Sequence, residues 1–210
     1  MRSYRLLTVV AAVFSVVLLV AVSCTRQTEN KPMTKEELVA RGKYLVTTGG
    51  CSDCHSPKVY TDMGPVPDST KLLSGYQQDE TLPEFDPRIV QPGMWVITES
   101  NFSGWVGPWG ISYAANLTPD KETGIGTLSE EMFIKSLREG KWMGIGRPLL
   151  PPMPWQNMAQ MTDQDLRAMY AYLMSLPPIH NEVPQPVPPT KLVETPKIKP
   201  NMKTKMKTAK

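Results

Sequence analysis

The chain has 210 residues, enough for one domain with appendages, and its 21 Pro, 14 Gly and only three Cys exclude a disulfide framework and argue for long ordered loops rather than an ideal helical bundle. The formal net charge of +3 belongs to the ends, with Arg2 and Arg5 at the start and seven Lys against two Glu in residues 181–210. The stretch between, 24–180, is net acidic and gives no support for nucleic-acid binding.

Arg2 and Arg5 precede an apolar run from Leu6 to Val22, broken only by Thr8 and Ser15. This is the pattern of an export signal, at a length close to the short limit of a membrane span. The run closes on Ala21-Val22-Ser23-Cys24. Small residues before a cysteine at that place resemble the lipobox of bacterial lipoproteins. The resemblance implies that residues 1–23 are a signal or anchor segment, that Cys24 is lipidated, and that the protein is membrane-anchored on the periplasmic side. An uncleaved single-span anchor and simple secretion are the alternatives, and all three place the folded part outside the cytoplasmic membrane. Residues 24–33 are polar, contain Pro32 and read as a tether.

Thr34-Lys35-Glu36-Glu37 is a capping box and predicts a helix from Lys35 to Thr47. Leu38, Gly42 and Leu45 share one face. Gly42 costs a helix about 1 kcal/mol relative to Ala, which implies close approach of another helix. Gly49-Gly50 ends the helix. Cys51-Ser52-Asp53-Cys54-His55 follows at once. C-x-x-C-H is the attachment signature of a c-type haem. Two thiols three positions apart each form a thioether to one vinyl group of a single porphyrin, and the next residue brings an imidazole to the iron. A zinc site would need four Cys or His ligands in two pairs. The chain has three Cys and two His, with Cys24 and His180 far from the motif. A thioredoxin-type site would need βαβ surroundings, and none is visible. The segment resembles the haem-binding motif of the cytochrome c family.

From Ser56 to Thr127 helical periodicity is absent, and Pro, Gly, Trp and Asp abound. Two strand-like runs, Met94–Glu99 and Gly104–Ile111, are able to pair. A run this long reads as an enlarged loop over the haem edge, with Trp95, Trp105 and Trp109 either covering porphyrin or packing on protein. In cytochromes c, a proline carbonyl after the motif accepts the second ring N–H of the ligand histidine. The resemblance places Pro65 in that role, with Pro57 and Pro67 as competitors. Asn116-Leu117-Thr118-Pro119-Asp120 and Thr123-Gly124-Ile125-Gly126 resemble a stretch in the haem subunits of bacterial membrane dehydrogenases, where it precedes a short helix. Ser129 caps that helix, Phe133, Ile134 and Leu137 form its apolar face, and Gly140 ends it.

Leu149-Leu150-Pro151-Pro152-Met153-Pro154-Trp155 comes next. A methionine between prolines has little backbone entropy left to lose, which suits a weak iron–thioether bond. A P-x-M-P sequence followed by an aromatic also resembles the sixth-ligand loop of this cytochrome subgroup. Met153 is therefore the expected second axial ligand, ahead of Met158 and Met143. Arg147, Trp155 and Asn116 are candidate contacts for the haem propionates. Thr162 opens the last helix, Leu166, Met169, Tyr170 and Leu173 form its buried stripe, and Pro177-Pro178 stops it. In the family a small residue of the first helix meets an aromatic of the last, which implies a contact of Gly42 with Tyr170.

The expected architecture is thus an all-α cytochrome c fold over residues 34–180 with a large irregular loop insertion. Residues 181–210, Pro-rich and then Lys-rich, are expected to form a flexible tail with His180 solvated at its start. The expected function is electron transfer by one covalently bound haem c whose axial positions are filled by His55 and Met153. Its partners are redox proteins, namely a dehydrogenase, another cytochrome or an oxidase, and no catalysis of its own is implied. The alternatives are an obligate haem subunit of a dehydrogenase complex, and a ligand sensor or peroxidase with a labile sixth position.

Overall fold

The computed structural model describes residues 32–192. The signal segment 1–23, Cys24 with most of the tether, and the Lys-rich residues beyond Leu192 lie outside the described residues.

The first helix, α1, runs Lys35–Thr48 with Glu36 and Glu37 in its opening turn, where the helix dipole favours acids. Gly49 donates to the Leu45 carbonyl (2.8 Å) and ends the helix. Gly50 adopts φ +66, which lets the chain turn directly into α2, Cys51–His55. Helix α3, Glu130–Glu139, is capped by the Ser129 hydroxyl, which accepts from the Met132 amide, and closes on Gly140 at φ +62. A short helix α4, Trp155–Met158, follows the Met153 loop. Helix α5, Asp163–Leu173, is capped by Thr162, whose hydroxyl accepts from the Asp165 amide. This order of helix, C-x-x-C-H, short helix, Met loop and final helix is the expected one.

Helices α1 and α5 cross tightly at Gly42. A Cβ at that position would collide with the Ala168 carbonyl and crowd the Tyr172 side chain. The expected partner, Tyr170, lies elsewhere: its hydroxyl donates to the Leu128 carbonyl (2.8 Å), and its ring packs on Phe133 at 5.6 Å. The small residue meets the last helix at the Ala168 carbonyl and at an aromatic, Tyr172, two residues before and after the expected position. Around this crossing Val46, Ile125, Leu128, Phe133, Leu137, Leu166, Met169 and Leu173 form the main core.

The all-α expectation is corrected by residues 58–113. Strands β1, Lys58–Thr61, and β2, Gly64–Pro67, form an antiparallel hairpin. A second sheet holds β3 (Ile97–Thr98), β4 (Gly104–Gly107) and β5 (Gly110–Tyr113) in that order, all antiparallel. The run Gly104–Ile111 is not one strand. It turns at Pro108-Trp109, and its two arms pair with each other, Gly107 opposite Gly110. This sheet covers a separate small core of Val90, Val106, Ile111 and Leu192.

The segment expected to be a mobile tail packs onto the domain as far as Leu192. Asn181 is 3% exposed. Its side-chain amide donates to the carbonyls of Ser74 (2.7 Å) and Tyr76 (2.8 Å), and its oxygen accepts from the Gln78 amide (2.9 Å). Ile111 and Val187 exchange both backbone hydrogen bonds, adding a further rung to β5. Extended Pro-rich chain has free backbone groups to satisfy, and the edge of β5 supplies partners for them. His180 is solvent-exposed as expected, with Nδ1 3.7–3.8 Å from Glu122 and Asp120. Among the described residues no helix is long and apolar enough to cross a membrane.

Candidate haem site

The site begins at the joint between α1 and α2. The left-handed turn at Gly50 starts α2 immediately, and one helical turn brings Cys51, Cys54 and His55 onto a common cleft. The Lys58 ammonium donates to the carbonyls of Ser56 (2.6 Å) and Ser52 (3.4 Å) at the C-terminal end of this helix, where a cation is favourable. The segment 73–76 lies along the helix. Leu73 donates to the buried Ser56 hydroxyl (2.8 Å), Gly75 to the His55 carbonyl (2.7 Å) and Tyr76 to the Ala114 carbonyl (2.9 Å). Gly75 has φ +81, and a Cβ there would press on the Ala114 carbonyl and the Asn116 amide.

The cleft has a volume of about 430 Å³. Its walls come from the helices, the second sheet and the Met loop. Val46 enters from α1, Phe133 and Leu137 from α3, and Met169 and Leu173 from α5. Tyr113 and Ser112 enter from β5, and Leu149 to Pro154 from the Met loop. The lining is dominated by apolar groups. This fits a flat, largely hydrophobic macrocycle, and the volume lies in the usual range for cofactor sites. Both thiols are free. Burial pushes the Cys51 thiol up to about 11 and raises that of Cys54 as well, so both stay protonated at neutral pH.

His55 is buried, and its Nδ1 lies 2.7 Å from the Ala115 carbonyl, to which it donates. Burial lowers the imidazole pKa, and the Ala115 bond opposes this only in part. The ring is therefore neutral at neutral pH, with Nδ1 committed to Ala115 and Nε2 the nitrogen an iron would take. The residues present thus fit the group their motif implies: two thiols on one wall, a neutral imidazole with one nitrogen spoken for, and apolar surroundings.

The histidine's partner is not the expected one. Pro65 lies in the β1–β2 hairpin, beside a shallow surface cleft with Asp53, Cys54 and Lys58. Pro57 and Pro67 are likewise not bonded to the ring. Ala115, two residues after the end of β5, supplies the carbonyl. A backbone carbonyl on an alanine carries no sequence signature, so only the chain path could reveal it.

The other expected residues divide. Met153 lines the cleft, and so do Met158 and Met169, whereas Met143 does not. Arg147 stands at the cleft with an exposed side chain, and its one described hydrogen bond goes to the neighbouring Pro148 carbonyl at 3.3 Å. Asn116 is 2% exposed and away from the cleft. Its oxygen accepts from the Thr118 amide and hydroxyl, while its amide donates to the Ile179 carbonyl (2.8 Å). It staples the turn to the segment after α5, which removes it as a propionate contact. Trp155 packs its ring over Gly140 and does not line the cleft. Of the three tryptophans expected over the porphyrin, only Trp105 borders the cleft. Trp95 is exposed, and Trp109 packs on Gly107. Trp142, Ser112 and Tyr113 border it without having been expected to.

No protein-family model matches the chain. Among curated proteins it is 32% identical over 140 residues to the gluconate 2-dehydrogenase cytochrome c subunit of Pantoea cypripedii, a match that covers 66% of this chain and 23% of that protein. It is 29% identical over 178 residues to the fructose dehydrogenase cytochrome subunit of Gluconobacter japonicus, covering 83% of this chain and 29% of the other. A third relative is the alcohol dehydrogenase (quinone), cytochrome c subunit, of Gluconobacter oxydans, 45% identical over 67 residues, covering 32% and 14%. The chain therefore spans less than a third of the length of these relatives. A thiol pair and a neutral histidine on one apolar cleft, together with this kinship, make the chain a c-type cytochrome, similar to the haem subunits of bacterial dehydrogenases.

Proposed function

We propose that the chain carries one covalently bound haem c with His55 and Met153 as axial ligands, and passes single electrons from a dehydrogenase to a further acceptor. The observation that carries this reading is the meeting of C-x-x-C-H and the Met153 loop on one cleft. Cys51 and Cys54 each add an S–H across one vinyl double bond, which fixes the group without change of oxidation state. When bound, the haem supplies a one-electron couple.

The chain's own residues tune it. Ala115 holds His55 in one tautomer and one orientation, which raises its basicity as a ligand. The Met153 thioether raises the potential relative to a second histidine. The apolar walls keep water from the reacting edge, and Arg147 offers the guanidinium that a propionate needs. His55 and Met153 together would leave a bound iron no position for a substrate, which supports a carrier rather than a catalyst. The names of the relatives support a dehydrogenase as electron donor and a place as haem subunit of such a complex. The apolar run before Cys24 supports a position outside the cytoplasmic membrane, held there through a lipid on Cys24 or a single span.

The test is spectroscopic. The ferric wild type is expected to show the far-red iron–sulfur charge-transfer band, and Met153→Ala to lose it with a large fall in reduction potential. Met158→Ala keeps both. A wild type without the band overturns the His/Met assignment. Co-purification of the chain with a catalytic dehydrogenase subunit separates a complex subunit from a free carrier.

A further inference from the structure

Two short contacts on either side of the cleft arise from one stretch of chain. The Ala115 carbonyl holds His55, and the Ser112 hydroxyl, three residues earlier, donates to the Pro151 carbonyl at 2.6 Å. Pro151 stands two residues before Met153 in a loop where Pro151, Pro152 and Pro154 have no N–H to give. Between Leu150 and Pro154, the Ser112 bond is the one side-chain hydrogen bond that reaches the loop among the described residues. The Leu149 amide ties the start of the loop to the Gly140 carbonyl (2.8 Å), while the bonds beyond it, Met153 to Leu150 (3.2 Å) and Trp155 to Met153 (2.9 Å), are internal and fix its shape.

Ser112 is itself oriented. The Trp109 indole N–H donates to its oxygen at 3.1 Å. An indole only donates and a carbonyl only accepts, so the hydroxyl proton has one direction to point. Ser112 is buried at 7% exposure. It sits on β5, which is paired on one side with β4 and on the other with Val187. A strand paired along one edge and pinned at Ile111 on the other is a rigid support, and a side chain held from it is placed more closely than one on a loop.

We propose that Ser112, oriented by Trp109, is a positioning residue for Met153, so that one stretch, β5 with the residues just after it, holds both His55 and the Met153 loop. The proposal rests on the His/Met reading given above. It also assigns a task to the inserted sheet: Ser112 sets the distance of the Met loop from the same backbone that holds His55. Without the brace the loop samples open positions more often, and an added ligand captures the iron in proportion to that population.

The test uses the full-length ferric holoprotein with imidazole as the competing ligand. Ser112→Ala should keep the covalent haem and the far-red band at lowered intensity, and raise the apparent affinity for imidazole about five- to tenfold, the size expected of one lost buried hydrogen bond. Ser112→Thr, which retains the hydroxyl, should return both values toward wild type. Trp109→Phe should move imidazole affinity in the same direction by about two- to threefold, since the Pro151 bond survives but loses its orientation. It also carries the test should Ser112→Ala not fold. If Met153→Ala abolishes the band while Ser112→Ala and Trp109→Phe leave imidazole affinity at the wild-type value, the brace is refuted and the ligand assignment stands. If Met153→Ala changes nothing, both fall together.

Discussion

Helices α1, α3 and α5 surround a core in which Leu166 and Leu173 are almost wholly excluded from solvent, and the helices reach it by ordinary means: capped starts, glycine stops and apolar stripes. Residues 56–115 reach theirs differently. Their strands are two to four residues long, their small core holds four buried side chains, and one of those, Leu192, comes from the far end of the described chain. The helical half is stabilised chiefly by apolar burial. The sheet half is held by hydrogen bonds from a few polar groups: buried Ser56 and Asn181 and half-buried Glu99 each satisfy two or more partners or a buried backbone amide. Burial tolerates small shifts, whereas a polar network does not. The half that holds His55 in orientation is therefore the polar one.

The largest expected effect breaks the helical half. Gly42→Val drives a side chain into the Ala168 carbonyl and the Tyr172 Cβ, and should cost about 3 kcal/mol or more in thermal unfolding. Asn181→Ala tests the sheet half. It leaves the Ser74 and Tyr76 carbonyls and the Gln78 amide without their partner, at about 2 kcal/mol. Hydrogen exchange should then quicken across residues 74–78 and β5, while α1 and α5 keep their protection. Equal loosening of both halves would show that they are one cooperative unit. The smallest effect is that of Thr162→Ala, which removes the cap of α5 and should cost about 1 kcal/mol without altering exchange in the sheet.

The helical half was legible in the sequence because its signals are local. Thr162 and Ser129 announce their helices, Gly140 ends one, and the stripe of Leu166, Met169 and Leu173 follows the helical period. The shared cleft of the thiols and His55 was legible in the spacing of C-x-x-C-H, and the place of Met153 on it in the prolines that flank that residue. Ala115 was not, since a carbonyl belongs to every residue and only the return of the chain past His55 selects this one. Asn116 misled because a buried amide that closes a turn and a polar ligand contact share one letter. The β1–β2 hairpin was missed for a related reason. Its sequence, with Pro65 and Pro67 in the second strand, departs from strand preference, and pairing with Lys58–Thr61 overrides it.

The return of residues 181–192 has a consequence in time. Val187 reaches back to Ile111, and Asn181 to Ser74 and Tyr76, across separations of 76 to 107 residues. Contacts this distant in sequence form late, because the entropy of closing the loop is spent before they can reward it. Pro186, on the same segment, is part of the cleft wall. Until that segment docks, the wall is incomplete and the two thiols stand at an open trough. Docking of residues 181–192 and completion of the cleft wall beside Pro186 are therefore one event.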